Sequence, residues 1–241
     1  MFLFMTPYMS TMIIYILAAV LPAVFLMRYI YNQDKYEKEP ASLLWKLVLG
    51  GVFAALAAMV LEYLIIDWFL PLFSITDETS YSIAEAILVG LIEEGCKFYF
   101  LYRYTWNNPN FNFRYDGVVY AVFCSLGFAA FENVQYVFNY GLSVAVSRAL
   151  LAIPAHMGFA VFMGSFYGRA KVCEARGEDS GKTGNLILGY LAAVCLHAFY
   201  DATAMVGTSL ATTLFVVFVI LMYIIVYCKV KSESRNDQEI Y

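Results

Sequence analysis

Residues 84–102 read AEAILVGLIEEGCKFYFLY, an apolar run interrupted near its centre by Glu93, Glu94 and Lys97. A hydrocarbon core about 30 Å thick is crossed by about 20 helical residues, which is the length of this run. Its composition puts the run in a bilayer, so the three charges are what needs explaining. An Asp, Lys or Arg at a span centre costs about 2.5–3.5 kcal/mol on the insertion scale, and ionisable groups at that depth mark a site or a pathway. At about 100° per residue, Glu93 and Lys97 share a face at i,i+4 while Glu94 projects to the side. One carboxylate therefore carries a counter-ion on its own helix, and the other is expected to be available.

The rest of the chain agrees with this reading. Of 241 residues, 62% are apolar or aromatic and 14% are charged, against about 45–50% and about 25% in an average soluble domain. A soluble protein is excluded. Apolar runs place seven spans at about 9–30, 45–70, 83–104, 117–139, 144–168, 185–206 and 208–229. The expectation is one integral membrane domain over residues 1–241, an all-α polytopic bundle with its polar motifs in spans 83–206. The second run carries Glu62 and Asp67 near its far end, so it either tilts or leaves the bilayer before Pro71. No Lys or Arg precedes Arg28, so the first run lacks the basic start of a secretory signal and is expected to stay as a span. The five cysteines have no CxxC pair and suggest neither a disulfide framework nor a zinc ribbon. A net charge of −4 without a dense basic cluster argues against a nucleic-acid partner.

Basic residues accumulate on the cytoplasmic side of membrane proteins. Arg28, Lys35, Lys38 and Lys46 flank the first connection, Arg103 and Arg114 the third, Arg169, Lys171, Arg176 and Lys182 the fifth, and Lys229, Lys231 and Arg235 the tail. The pattern predicts an N-terminus outside and a C-terminus in the cytoplasm. It also makes 174–184 a cytoplasmic loop and 232–241 a solvated tail.

Three more spans carry polar groups at depth. The fourth contains GFAAFENVQYVF, with Glu132 and Asn133; the fifth contains IPAHMGFAVFMGSFYG, with His156; the sixth contains LHAFYDA, with His197 and Asp201 at i,i+4. That last spacing lets a carboxylate orient an imidazole. Measured from the predicted outer ends, Glu93 is roughly 15 Å deep, Glu132 about 11 Å, His156 about 18 Å and His197 about 14 Å. Their convergence predicts one shared pocket opening outward. Glu62, Asp67, Glu85 and Arg148 lie near outer ends, where charge costs little, and read as structural. Gly158, Gly164 and Gly168 read as close helix packing. Tyr63, Trp68, Tyr102 and Trp106 read as interface belts.

The set has no GxSxG, no Ser/Lys pattern and no HExxH, and Cys195 lies on a different face from His197, so covalent catalysis and the commonest zinc-protease signature are disfavoured. Two routes to an activated water stay open. A Glu can take the proton while a histidine, oriented by Asp201, positions the water or stabilises the oxyanion. Alternatively Glu94, His156 and His197 can ligate a divalent metal such as zinc.

The ordered series EExxK at Glu93, Glu94 and Lys97, GFAAFEN at 127–133, AHMGF around His156 and HxxxD at His197 and Asp201 resembles the PrsW family of intramembrane proteases. Members of that family are bacterial membrane proteins that make the first cut in membrane-anchored anti-sigma factors, before a second intramembrane protease releases the sigma factor. The resemblance implies a single-span membrane protein as substrate, a role in stress signalling and a place in the cytoplasmic membrane. It further implies Glu93, Glu94 and His197 as the catalytic core, joined by His156, Glu132 and Asp201, with Lys97 and Asn133 in support. The wider superfamily of prenyl-protein (CAAX) proteases and bacteriocin-immunity proteins shows EExxxR and FxxxH. Here Phe98 stands at the Arg position and Glu132 follows Phe128 where that pattern has His, which favours PrsW. A proton-coupled transporter or channel would use the same carboxylates and histidines, but the inverted repeats common in transporters are absent from the sequence. An inert immunity-type relative is the remaining alternative.

Overall fold

The computed structural model describes residues 7–241. Its helices are α1 (Pro7–Gln33), α2 (Ala41–Glu62), α3 (Glu78–Thr105), α4 (Asp116–Tyr140), α5 (Leu142–Leu150), α6 (Ala152–Ala175), α7 (Asp179–Met205) and α8 (Ser209–Arg235). Each predicted span falls on one of these, with α5 and α6 meeting at Leu151 to make a single bent crossing. The long second run does leave regular α-geometry before its end. Past Glu62 it continues as a π-helical turn, Tyr63–Phe69, and a 3-10 turn, Leu70–Phe73, with Pro71 unable to donate to a regular ladder. Asp77 caps α3 by accepting from the Ser80 amide at 2.7 Å, and Thr208 caps α8 through the Ala211 amide at 3.2 Å.

Six of these crossings are long and apolar enough to span a membrane. The seventh, α3, has 28 residues, and its content of Glu85, Glu93, Glu94 and Lys97 keeps it out of that group. Its charged face packs inward, with α2 and α7 as its main neighbours, while Ile83, Ile87 and Tyr99 on the rest of its surface are exposed. The hub is α4: its most apolar stretch is 78% buried, against 11% for α1 and 22% for α8, which face outward.

Small residues set the spacing around this hub. A methyl added at Gly164 would meet the Gly117 carbonyl oxygen at 2.4 Å, and one at Gly168 would meet the Arg114 carbonyl oxygen at 2.1 Å. On the other face, Gly51 and Gly127 let α2 touch the α4 backbone in the same way. Close approach of this kind is the usual basis of helix association in lipid, where hydrophobic burial gives little drive.

Three expectations are corrected at the helix ends rich in Lys and Arg. Most of 174–184 is helical, and the connection shrinks to a turn at 176–178. The tail at 232–241 is docked rather than free, although six of its ten residues remain exposed. Helix α8 runs on to Arg235, and the buried Glu233 carboxylate pairs with Arg114 at 3.0 Å and accepts from Ser165 at 2.5 Å. Beyond it, Phe113 and Glu239 form an antiparallel bridge, flanked by amide bonds from Arg114 to Gln238 and from Ile240 to Asn112. Trp106 is buried rather than interfacial, because its indole N–H donates to Glu174 at 2.9 Å and its ring packs on Tyr102 and Tyr167.

Gly164→Ala is expected to lower the melting temperature of the detergent-solubilised chain, an overpacking cost of about 1–3 kcal/mol. Gly158→Ala should be tolerated, because its methyl meets the flexible Met222 side chain at 3.2 Å instead of backbone. Equal melting temperatures for the two variants would contradict the backbone contact.

Candidate active site

The site is built from α3 outward. One helical turn presents Glu93, Glu94 and Lys97 to the interior, all buried. Lys97 Nζ donates to Glu93 Oε2 at 3.0 Å and to Glu94 Oε1 at 2.8 Å. The expectation that one carboxylate stays unpaired is therefore corrected, since the flexible lysine stem reaches the i−3 and i−4 neighbours together. The same ammonium lies 3.1 Å from His156 Nδ1 on α6, and His197 Nδ1 on α7 lies 2.9 Å from Glu94 Oε1.

The two histidines are arranged alike. Each turns Nδ1 toward the α3 cluster and Nε2 toward an outer carboxylate. His156 Nε2 meets Glu132 Oε2 at 3.1 Å, and His197 Nε2 meets Asp201 Oδ2 at 3.2 Å. Because an ammonium can only donate, His156 Nδ1 accepts, which places its proton on Nε2 for donation to Glu132. Two phenyl rings wall the cluster. Phe128 lies under the ammonium, 4.0 Å from nitrogen to ring centre, and Phe159 stacks on His197 at 4.9 Å.

Three residues read from sequence as structural, Arg148, Glu62 and Glu85, border the site. Arg148 on α5 donates to Glu132 at 2.7 Å and to Asn133 at 2.9 Å, and stacks on Tyr136. Asn133 is also tied to α1 through the Ala19 carbonyl at 2.8 Å. Glu62, where α2 gives way to the π-turn, has a buried Oε1 without a partner and lines the same cavity. The signal that could have found Arg148 is its place opposite the deep acid Glu132; the π-turn after Glu62 leaves no mark in hydropathy. Asp67 is outside the lining, whereas Glu85 is part of it.

The cavity encloses about 400 Å³ beside Glu93, Glu132, His156, His197 and Asp201, and reaches the half-exposed Tyr136 and Met205 near the Tyr140 and Met205 helix ends. Glu93, Glu94, His156 and His197 each offer a ligand atom within 4.8 Å of the others. Two imidazoles and two carboxylates are donors that zinc accepts, and the outer carboxylates on both Nε2 atoms are the partners that metal-bound histidines take. Glu94 Oε2 is buried with no hydrogen-bond partner, so the residues fit a metal ion.

The sequence profile of the PrsW family intramembrane metalloproteases matches residues 39–228. The chain belongs to this family. Protease PrsW of Clostridioides difficile (strain 630) is 30% identical over 229 residues, 93% of each chain. Protease PrsW of Geobacillus kaustophilus (strain HTA426) is 33% identical over 185 residues, 76% of each chain. Protease PrsW of Bacillus subtilis (strain 168) is 28% identical over 184 residues, 76% of this chain and 79% of that one. No solved structure matches. As a PrsW-family member the chain is a multi-pass membrane protease, and the polar cluster with its cavity is the candidate place for peptide hydrolysis.

Lys97→Met would leave Glu93 and Glu94 buried without their ammonium, which is expected to cost about 3–5 kcal/mol. Adding Glu94→Gln to the same chain should recover part of that loss. Thermal melts of both variants in detergent check this, and a single variant as stable as wild type would contradict the pairing.

Proposed function

We propose that the chain cleaves a peptide bond in a single-span membrane protein, an anti-sigma factor, with Glu93, Glu94, His156 and His197 at the reacting centre. The observation that carries this reading is the buried convergence of those four residues beside a polar cavity.

In this reading Glu94, His156 and His197 would hold a zinc-type ion, which leaves the fourth position for water and Glu93 free beside it. When bound, such an ion polarises the scissile carbonyl and lowers the pKa of a coordinated water. The remaining chemistry belongs to the chain. Glu93 borders the cavity and takes the proton of the attacking water, later delivering it to the leaving amine. Glu132 and Asp201 are positioning residues, fixing the ring orientation and proton placement of His156 and His197. Arg148 and Asn133 hold Glu132 in turn. Lys97 balances the two α3 carboxylates, while Phe128 and Phe159 keep bulk water from the cluster's inner side.

Cleavage of a co-expressed, tagged anti-sigma factor is the test, at matched membrane levels of each variant. Glu93→Ala, Glu94→Ala and His197→Ala are expected to abolish the product, and Asp201→Asn and Glu132→Gln to slow it by about 10–100-fold. Cleavage by purified chain should stop with a chelator and return with zinc. Equal cleavage by wild type and the alanine variants would remove the site, and chelator-resistant cleavage would leave a glutamate base without metal.

The excess of Lys and Arg at the Gln33, Thr105, Ala175 and Arg235 helix ends supports an orientation with that end in the cytoplasm and the cavity toward the outer surface. A reporter fused at the Gly177 turn should read cytoplasmic. An extracytoplasmic signal there would reverse the orientation.

A further inference from the structure

Peptide hydrolysis needs one part that the buried cluster does not supply. As water attacks, the scissile carbonyl oxygen takes on negative charge, and a hydrogen-bond donor already held in place there lowers the barrier. With His156 and His197 on the ion and Glu93 as base, neither histidine is free to donate to that oxygen. The donor has to come from the rest of the cavity wall.

The wall offers few. Glu62, Glu85, Glu132 and Asp201 are acceptors when ionised. Gln135 turns its amide nitrogen to the Met59 sulfur at 3.1 Å, and Arg148 is committed to Glu132 and Asn133. Tyr136 lies against the Arg148 guanidinium, 3.8 Å from carbon to ring centre, and is 37% exposed. Tyr200 is what remains. It lines the cavity, and its hydroxyl has no hydrogen-bond partner among the described residues. Nor is that hydroxyl sealed off, as the unpaired hydroxyls of Tyr29 and Tyr115 are.

The ring is also well placed. Tyr200 follows His197 by one turn of α7, and long helical side chains lean back over the turn before them, here the turn that carries His197. Phe159 packs on both rings, its centre 4.9 Å from that of His197 and 6.1 Å from that of Tyr200. Phe215 of α8 adds a second contact to Tyr200 at 4.9 Å. A ring fixed by two neighbours has little freedom left to lose when substrate binds, which is what preorganised stabilisation requires.

We propose that Tyr200 is a further catalytic residue, whose phenolic O–H donates to the oxyanion formed from the scissile carbonyl. The inference rests on the hydrolytic reading of the cluster. The water oxygen bonds the carbonyl carbon, one water proton passes to Glu93, and the π-electron pair settles on the carbonyl oxygen, which accepts from Tyr200. When the C–N bond breaks, the pair re-forms C=O and the proton on Glu93 goes to the leaving amine. Tyr200 keeps its proton throughout. A phenol is neutral near neutral pH, so it stabilises the developing charge without adding one to the cavity.

The test is cleavage of the tagged anti-sigma factor by purified, full-length chain, comparing wild type, Tyr200→Phe and Glu93→Ala, with zinc content and melting temperature measured on the same preparations. Tyr200→Phe keeps the ring contacts and removes only the hydroxyl. It is expected to lower kcat by about 100-fold. KM, zinc content and melting temperature should stay as in wild type, because the donor acts on the oxyanion far more than on the ground-state carbonyl. An undiminished kcat in Tyr200→Phe, with Glu93→Ala inactive, overturns the role of Tyr200 and leaves the cluster standing. Equal cleavage by Glu93→Ala removes the hydrolytic centre and Tyr200 with it. A loss of zinc or of thermal stability that matches the loss of rate would make Tyr200 a packing residue, which also overturns the proposal.

Discussion

The ammonium of Lys97 draws three elements of the bundle to one point. It bonds both carboxylates of its own helix and approaches His156 on α6, while Glu94 passes the connection on to His197 on α7. Lys97 and Glu94 do not border the cavity and have no water to fall back on, so each must find its partner inside the protein. That requirement orients α3. The face carrying Glu93, Glu94 and Lys97 cannot turn to lipid, so it is buried, while Ile83, Ile87 and Tyr99 take the exposed face. An apolar replacement of the whole ion cluster would satisfy stability equally well or better. The cluster therefore makes sense as chemistry.

An electrostatic knot of this kind works only if the helices come close enough to tie it. The approach of α6 to α4 is set by backbone contact at Gly117, Gly164 and Gly168, and it lets Ser125 bond the His156 carbonyl at 3.0 Å. With α6 placed, His156 sits between Glu132 on α4 and Lys97 on α3. From Arg148 through Glu132, His156, Lys97, Glu94 and His197 to Asp201, each side chain is within hydrogen-bond or ion-pair distance of the next. The chain crosses five helices. Its rigidity follows from shared partners: Lys97 serves three groups, and Glu132 accepts from both Arg148 and His156.

The sequence is most legible where charge and hydrophobicity conflict. Glu93, Glu94, Glu132, His156, His197 and Asp201 stand out because polar groups at membrane depth need a reason, and the helices that carry them follow from run length. Arg148 and Glu62 were hidden by the same logic, since a charge near a span end can reach water and so needs no explanation. Their roles depend on the bend at Leu151 and the π-turn after Glu62, which hydropathy does not encode. Trp106 looked like a belt residue by position, but its neighbour across the fold is Glu174, 68 residues away. The tail shows the limit most clearly. Nothing in the polar run SESRNDQEIY distinguishes a docked strand-like segment from a solvated one, because its partners are the backbone amides and carbonyls of 112–115.

Helix α4 carries a polar cluster at each end, and the two are built on opposite plans. Near Tyr140 the acid Glu132 is compensated twice, by His156 and Arg148, and the cavity beside it opens toward half-exposed side chains. At the other end Asp116 is covered by the tail, by Tyr120 with Glu39 and by the amides of Asn112 and Phe113. A protease inside a bilayer needs water at one depth and must exclude it elsewhere. Docked backbone covers one end of the central helix, while a charge-balanced cavity lies beside the other. Because α4 is buried along most of its length, whatever fixes the closed end also fixes the register in which Glu132 meets His156.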